Sequence, residues 1–189
     1  GNVIGGGDWA QDRIYPDAVK ALAARKKIPV RNPNAVRPWQ HVLEPLSGYL
    51  WLAAKMLQSP ADFADAWNFG PFCSGNITVK SLVEKIISVW GSGEMEDISS
   101  GHKNSPHEAN FLKLDCSKAS GLLNWRPCMS VDDSIRFSAE WYKGFYCEKG
   151  FNSRDFTEKQ ITEYMNLARR QKLLWSSGVV NKEEALDDF

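Results

Sequence analysis

The chain has 189 residues, 43% of them apolar and 12% aromatic, with 23 basic residues balancing 23 acidic ones. That length suits one domain or a little more, and the apolar share is enough to bury a core. A formal charge of zero argues against nucleic acid or an anionic membrane as the main partner, because both need a basic excess. No apolar run approaches the ~20 residues of a bilayer span, and no charged stretch followed by an apolar one opens the chain. Cys73, Cys116, Cys128 and Cys147 form no CxxC pair, so reduced, mostly buried thiols in the cytoplasm are the expectation.

In chain order, Asn2-Val3-Ile4 reads as the end of a strand that runs into Gly5-Gly6-Gly7-Asp8-Trp9. A helix follows through Pro16, Ala18, Val19 and Leu22 to about Lys27, closed by Lys26 and Lys27. Ile28 to Arg31 and Val36 to Val42 are short extended pieces around an Asn32-Pro33-Asn34 turn. Leu46, Tyr49, Leu50, Ala53, Ala54 and Leu57 form the apolar face of a helix from about Glu44 to Gln58. Ala66 to Gly70 reads as a strand. Thr78 caps a helix whose face is Leu82, Val83, Ile86, Ile87 and Trp90.

Asp97 to Ser100 and Phe111 to Leu114 read as strands, and Asp115 is placed to cap a short helix over 116–123. Ser130 and Asp133 make a capping box for a long helix to about Lys149. Thr157 and Gln160 suggest another box, opening a helix to about Leu174, with a frayed polar end over the last eleven residues. Helices alternating with short strands indicate an α/β or α+β layout.

Three segments carry candidate chemistry. Gly5, Gly7 and Ala10 spell GxGxxA, a dinucleotide fingerprint in form, but the context fails it. The motif has to pass directly into a helix and be followed by an acidic residue ~20 positions on. Here Pro16 delays the helix, and no Asp or Glu lies between Asp17 and Glu44. A turn beside some other ligand is the better reading. Arg31, Arg37 and His41 are interleaved with Asn32, Asn34, Trp39 and Gln40. Guanidinium groups fork onto phosphates and amides suit sugar hydroxyls or base edges, while a solvated loop with a structural Trp is the bland rival. His107, Glu108 and Asn110 form a polar cluster, but His102 and His107 lack a third ligand at a metal spacing.

Several words in order then resemble one family. Gly1 to Trp9 with Asp12 to Asp17, Arg31-Asn32-Pro33, Arg37-Pro38-Trp39-Gln40-His41-Val42 and Glu44 to Tyr49 are similar to extended short-chain dehydrogenases/reductases that act on nucleotide sugars. With Trp67-Asn68-Phe69-Gly70, His107 to Asn110 and Leu114 to Lys118, the resemblance narrows to the branch that dehydrates CDP-sugars. It runs from Gly1 to about Tyr146.

The resemblance implies an α/β fold, namely the C-terminal, substrate-binding part of an extended Rossmann-type enzyme built of mixed short strands and helices. Residues 1–150 would hold the last Rossmann strands and the nucleotide-sugar-binding domain, and 151–189 a helical tail. The implied cofactor is NAD, the implied partner a CDP-sugar, and the implied full-length state a homo-oligomer. The family reaction oxidises C4 of the glucose, eliminates water across C5–C6 and returns the hydride to C6, giving a precursor of dideoxy sugars in bacterial surface polysaccharide.

Carried over by position, Asn2 contacts phosphate or sugar, Ile14 and Tyr15 lie along the sugar nucleotide, Pro29, Val30 and Arg31 flank the base, and Arg37 pairs with the diphosphate. His107 and Asn110 stand where related dehydratases place a second diphosphate arginine; none stands there in this sequence. The family's glycine loop, Thr–acid pair and YxxxK precede the motif at which this chain begins, so the expectation is the latter half of an enzyme, inactive alone. Two rivals stay open: another nucleotide-sugar epimerase or dehydratase of the superfamily, and a non-catalytic nucleotide-sugar-binding domain.

Overall fold

The structure, a computed structural model, describes residues 2–72, 75–101 and 112–177. Strand β1 (Asn2–Ile4) leads through the glycine loop to helix α1 (Ile14–Ala23). Strands β2 (Ile28–Val30) and β3 (Val36–His41) precede α2 (Leu43–Gln58) and the single turn α3 (Pro60–Phe63). Then come β4 (Asn76–Thr78), α4 (Val79–Trp90) and β5 (Met95–Asp97). The chain continues with α5 (Ser117–Leu122), α6 (Val131–Cys147), α7 (Ser153–Arg170) and the short α8 (Leu174–Ser177).

Strand β3 is central and changes partner along its length. Its first half pairs antiparallel with β4, Val36 facing Thr78, and its second half pairs parallel with β1, Asn2 facing Trp39. Strands β2 and β5 make a separate parallel pair, Ile28 facing Met95. Helix α6 packs on β3, α4 and α1, which buries Tyr15, Val19, Leu82, Ile86, Ile135 and Tyr142 in one core. A second core joins Trp51, Phe69, Leu123, Trp125, Phe137, Tyr164 and Trp175. Each large side chain fully withdrawn from water contributes about 1.5–3 kcal/mol.

Local signals explain the helix ends. The Thr78 hydroxyl accepts from the Ser81 N–H at 3.1 Å, and α4 stops at Gly91, whose φ of 99° is left-handed. The Ser130–Asp133 capping box forms in both directions. Helix α1 ends earlier than the sequence suggests: Arg25 takes φ 54°, which turns Lys26 and Lys27 out of the helix and toward β2.

Further expectations are corrected. Helix α2 has the expected length, but it buries Glu44, Pro45, Gly48 and Trp51. The stripe read as its core face is largely outward, with Leu50 73% and Leu57 87% exposed. Residues 66–70 form no strand; side chains anchor them instead, through Asn68 donating to the Asp115 carbonyl at 3.1 Å and Phe69 packing on Trp125. Strand β5 lies two residues earlier than expected, and Ser99–Gly101 turn as a 3₁₀ helix. Helix α7 starts at Ser153 because Asn152 caps it; Thr157 lies inside the helix and its hydroxyl donates to the Ser153 carbonyl at 2.7 Å. Residues 112–114 are irregular, and the expected frayed end falls outside the described residues.

Candidate functional site

A cleft of about 470 Å³ opens where the ends of β1, β2 and β3 meet the loop before α1. Its lining includes Asn2 from β1, Ile14 and Tyr15 from the first turn of α1, Pro29 and Arg31 at β2, and Arg37 and Trp39 from β3. Six of the nine sequence candidates thus meet at one place. Val30 does not: side chains alternate along a strand, so with Pro29 outward Ile28 and Val30 point into the core, both fully buried. His107 and Asn110 lie outside the described residues.

The cleft also holds residues that sequence reasoning did not single out for it: Asp8, Asp12, Arg13, Asp17, Val79 and Ile98. Asp8, Asp12, Arg13 and Asp17 lie close to the candidates Ile14 and Tyr15 in the chain, whereas the positions of Val79 and Ile98 give no hint of this. Val79 and Ile98 arrive only because β4 pairs with β3 and β5 with β2.

The charges are arranged in pairs. Arg31 Nη2 donates to Asp12 Oδ1 at 2.6 Å, and Arg13 Nη1 lies 3.5 Å from Asp8 Oδ2. The hydrogen bond and charge of Asp12 raise the Arg31 pKa further above its ordinary value. Arg37 differs in being buried, 6% exposed, with Nη1 donating to the Val36 carbonyl at 2.9 Å. The Tyr15 ring faces the cleft while its hydroxyl donates inward to the Ile135 carbonyl at 2.8 Å. Burial raises its pKa well above the usual phenol range. This phenol therefore offers a ring surface and keeps its proton.

The glycine loop does not form a dinucleotide cradle. A Cβ on Gly6 would sit 2.2 Å from the Trp141 ring, and Gly7 takes φ 82°. These glycines admit an aromatic ring and a turn. Three residues, Gln11, Asp12 and Arg13, separate Ala10 from the helix start at Ile14, and the N-cap residue Arg13 makes no side-chain cap. A pyrophosphate needs the helix N-terminus directly at the loop, so these residues do not fit NAD and no step through it belongs to them.

Outside the cleft, Cys128 is buried, Cys116 half-buried and Cys147 exposed, so the expectation of buried thiols holds for part of the set. Among the described residues no group of three potential ligands is placed to hold a metal, and no helix is long and apolar enough to cross a membrane.

No family model matches the chain. Its fold is that of solved nucleotide-sugar enzymes. The UDP-glucuronic acid 4-epimerase of Bacillus cereus, in complex with UDP-glucuronic acid and NAD, superposes at a TM-score of 0.62 with 18% identity, over 77% of this chain and 44% of that one. The dTDP-glucose 4,6-dehydratase of Bacillus anthracis, in complex with NAD, gives 0.61 with 20% identity, over 75% and 42%. The chain therefore shares the α/β fold of these two enzymes over about three quarters of its length.

In sequence the chain is similar to the CDP-glucose 4,6-dehydratase of Salmonella typhimurium, with 40% identity over 170 residues. That alignment covers 90% of this chain and 46% of the enzyme, so the chain spans about half the length of the curated relative it matches.

Proposed function

We propose that this chain is the nucleotide-sugar-binding half of an NAD-dependent CDP-glucose 4,6-dehydratase, working in the cytoplasm. The observation that carries the reading is that 40% identity to such an enzyme coincides with a cleft that gathers Asn2, Ile14, Tyr15, Pro29, Arg31 and Arg37. In this reading the buried Arg37 holds the diphosphate, because a fixed cation away from water attracts a phosphate more strongly than one in bulk solvent. The Asn2 amide serves a phosphate or sugar oxygen. Pro29 and Arg31 flank the base, and the Tyr15 ring backs the sugar nucleotide. His107 and Asn110 remain candidates for a further diphosphate contact.

The chain's own part is to bind and orient. A held substrate gains in rate because its reacting carbons stay in register with the groups that act on them. Hydride storage in this reaction is the cofactor's chemistry, and proton transfer is not assigned to any residue of this cleft.

Titration calorimetry of the 189-residue chain with CDP, UDP and dTDP tests the reading. CDP is expected to bind most tightly, and the chain with NAD and CDP-glucose is expected to show no turnover. A preference for UDP or dTDP would move the chain to a sister enzyme of the same fold. Steady turnover would show that the chain carries its own catalytic groups.

A further inference from the structure

The cleft contains an ion pair for which nucleotide-sugar binding alone gives no account. Asp12 and Arg31 lie nineteen positions apart, and their side chains meet at 2.6 Å while both line the cleft. Each is more than half exposed. Solvent screens such a pair, so it adds little to folding. Asp12 stands at φ 60°, in the left-handed region that aspartate and asparagine tolerate better than most L residues.

Something else holds the loop in that shape. The Asp8 N–H donates to the Tyr142 hydroxyl at 2.9 Å, and the same hydroxyl donates to the Asp8 carbonyl at 2.7 Å. The Trp9 ring packs on Trp141, Tyr142 and Phe145. Helix α6 therefore clasps the loop at Asp8 and Trp9, and four residues on the loop presents a carboxylate to the guanidinium at the end of β2. An unrestrained arginine loses much rotamer freedom when it meets a ligand. One already held by a carboxylate has lost it beforehand.

We infer that Asp12 is a positioning residue: it holds the Arg31 guanidinium in the orientation that receives the nucleotide sugar. The inference rests on the reading of the cleft as a nucleotide-sugar site. The bond to Asp12 engages Nη2, and a guanidinium carries donors on Nε and Nη1 as well. Asp12 thereby acts through Arg31, lowering the ordering cost of binding.

The test is a double-mutant cycle on the full chain, with CDP-glucose affinity read by calorimetry and thermal unfolding followed alongside. Asparagine tolerates the left-handed region as aspartate does, so Asp12→Asn keeps the loop. It is expected to weaken binding roughly threefold to fivefold with the unfolding temperature unchanged. In an Arg31→Ala background the same change is expected to have no further effect. Asp12→Glu, which restores a carboxylate, is expected to recover part of the affinity. Unchanged or tighter binding by Asp12→Asn overturns the inference, as does an equal loss in the Arg31→Ala background or no recovery with Asp12→Glu. Failure of the unmodified chain to bind any CDP-sugar removes the site reading itself, and this inference with it, before any variant is made.

Discussion

Arg37 shows what a single position contributes to the site. It lies on β3 opposite Ile77 and is 6% exposed, yet it lines the cleft. Truncating a buried cation that meets a ligand anion costs about 2–5 kcal/mol, partly because the anion loses its partner. Arg37→Ala is therefore expected to weaken CDP-sugar binding by about that amount in a calorimetric titration. An unchanged dissociation constant would place the diphosphate elsewhere in the cleft. Arg31 and Arg37 were picked out by residue type together with the family resemblance, and both line the cleft. Asp12 was not, since a surface Asp becomes informative only when a residue nineteen positions on is known to touch it. Tyr15 was picked out only by the family resemblance; it lines the cleft, in an orientation set by the Ile135 carbonyl on α6.

At the scale of elements, legibility followed how local the cause is. The caps at Thr78 and Ser130 were readable because donor and acceptor lie within three residues of each other. The start of α7 was misread because two local signals compete. Thr157 with Gln160 spells a capping box, but the Asn152 side chain accepts from the Arg154 and Asp155 N–H groups at 3.1 and 3.2 Å. Gln160 is pulled into the core by the Phe137 carbonyl at 2.7 Å. Asn152→Ala is thus expected to cost about 1 kcal/mol of stability in urea denaturation. Asn152→Ser, which keeps a cap acceptor without setting a second carboxylate against Asp155, should restore most of it, and a silent Asn152→Ala would hand the cap back to a later residue. The face of α2 was misread for a tertiary reason. Its apolar stripe is regular, but Glu44 and Gly48 dock inward, where Gly48 admits the Phe69 ring and Glu44 meets the loop before α6.

At the scale of the molecule, strand partners and buried charges are the least legible layer, because both depend on contacts far apart in sequence. Glu44 joins α2 to the loop before α6 and to α7: the Cys128 and Met129 N–H groups donate to Oε1 at 2.9 and 2.6 Å, and the Tyr164 hydroxyl donates to Oε2 at 3.0 Å. Burial pushes its carboxyl from 4.5 up to about 7, against those hydrogen bonds. His41, three residues earlier, is pushed by burial from 6.5 down to about 4.

The two have opposite signs. Glu44 binds its proton more tightly when folded, so its contribution is present below pH 4.5 and is lost as pH rises through about 7. His41 binds its proton more weakly when folded, so its contribution is present above pH 6.5 and is lost as pH falls through about 4. Each amounts to roughly 3 kcal/mol over its full window. Between pH 4.5 and 6.5 the slopes cancel, which leaves the stability due to this pair nearly flat. Glu44→Gln should expose the histidine alone, giving stability that climbs with pH from about 4 to 6.5 in a urea series. His41→Asn should expose the carboxyl alone, giving stability that declines from pH 4.5 to about 7. If both variants track the parent profile, neither group changes its proton affinity on folding, and their burial is relieved by solvent in the folded state.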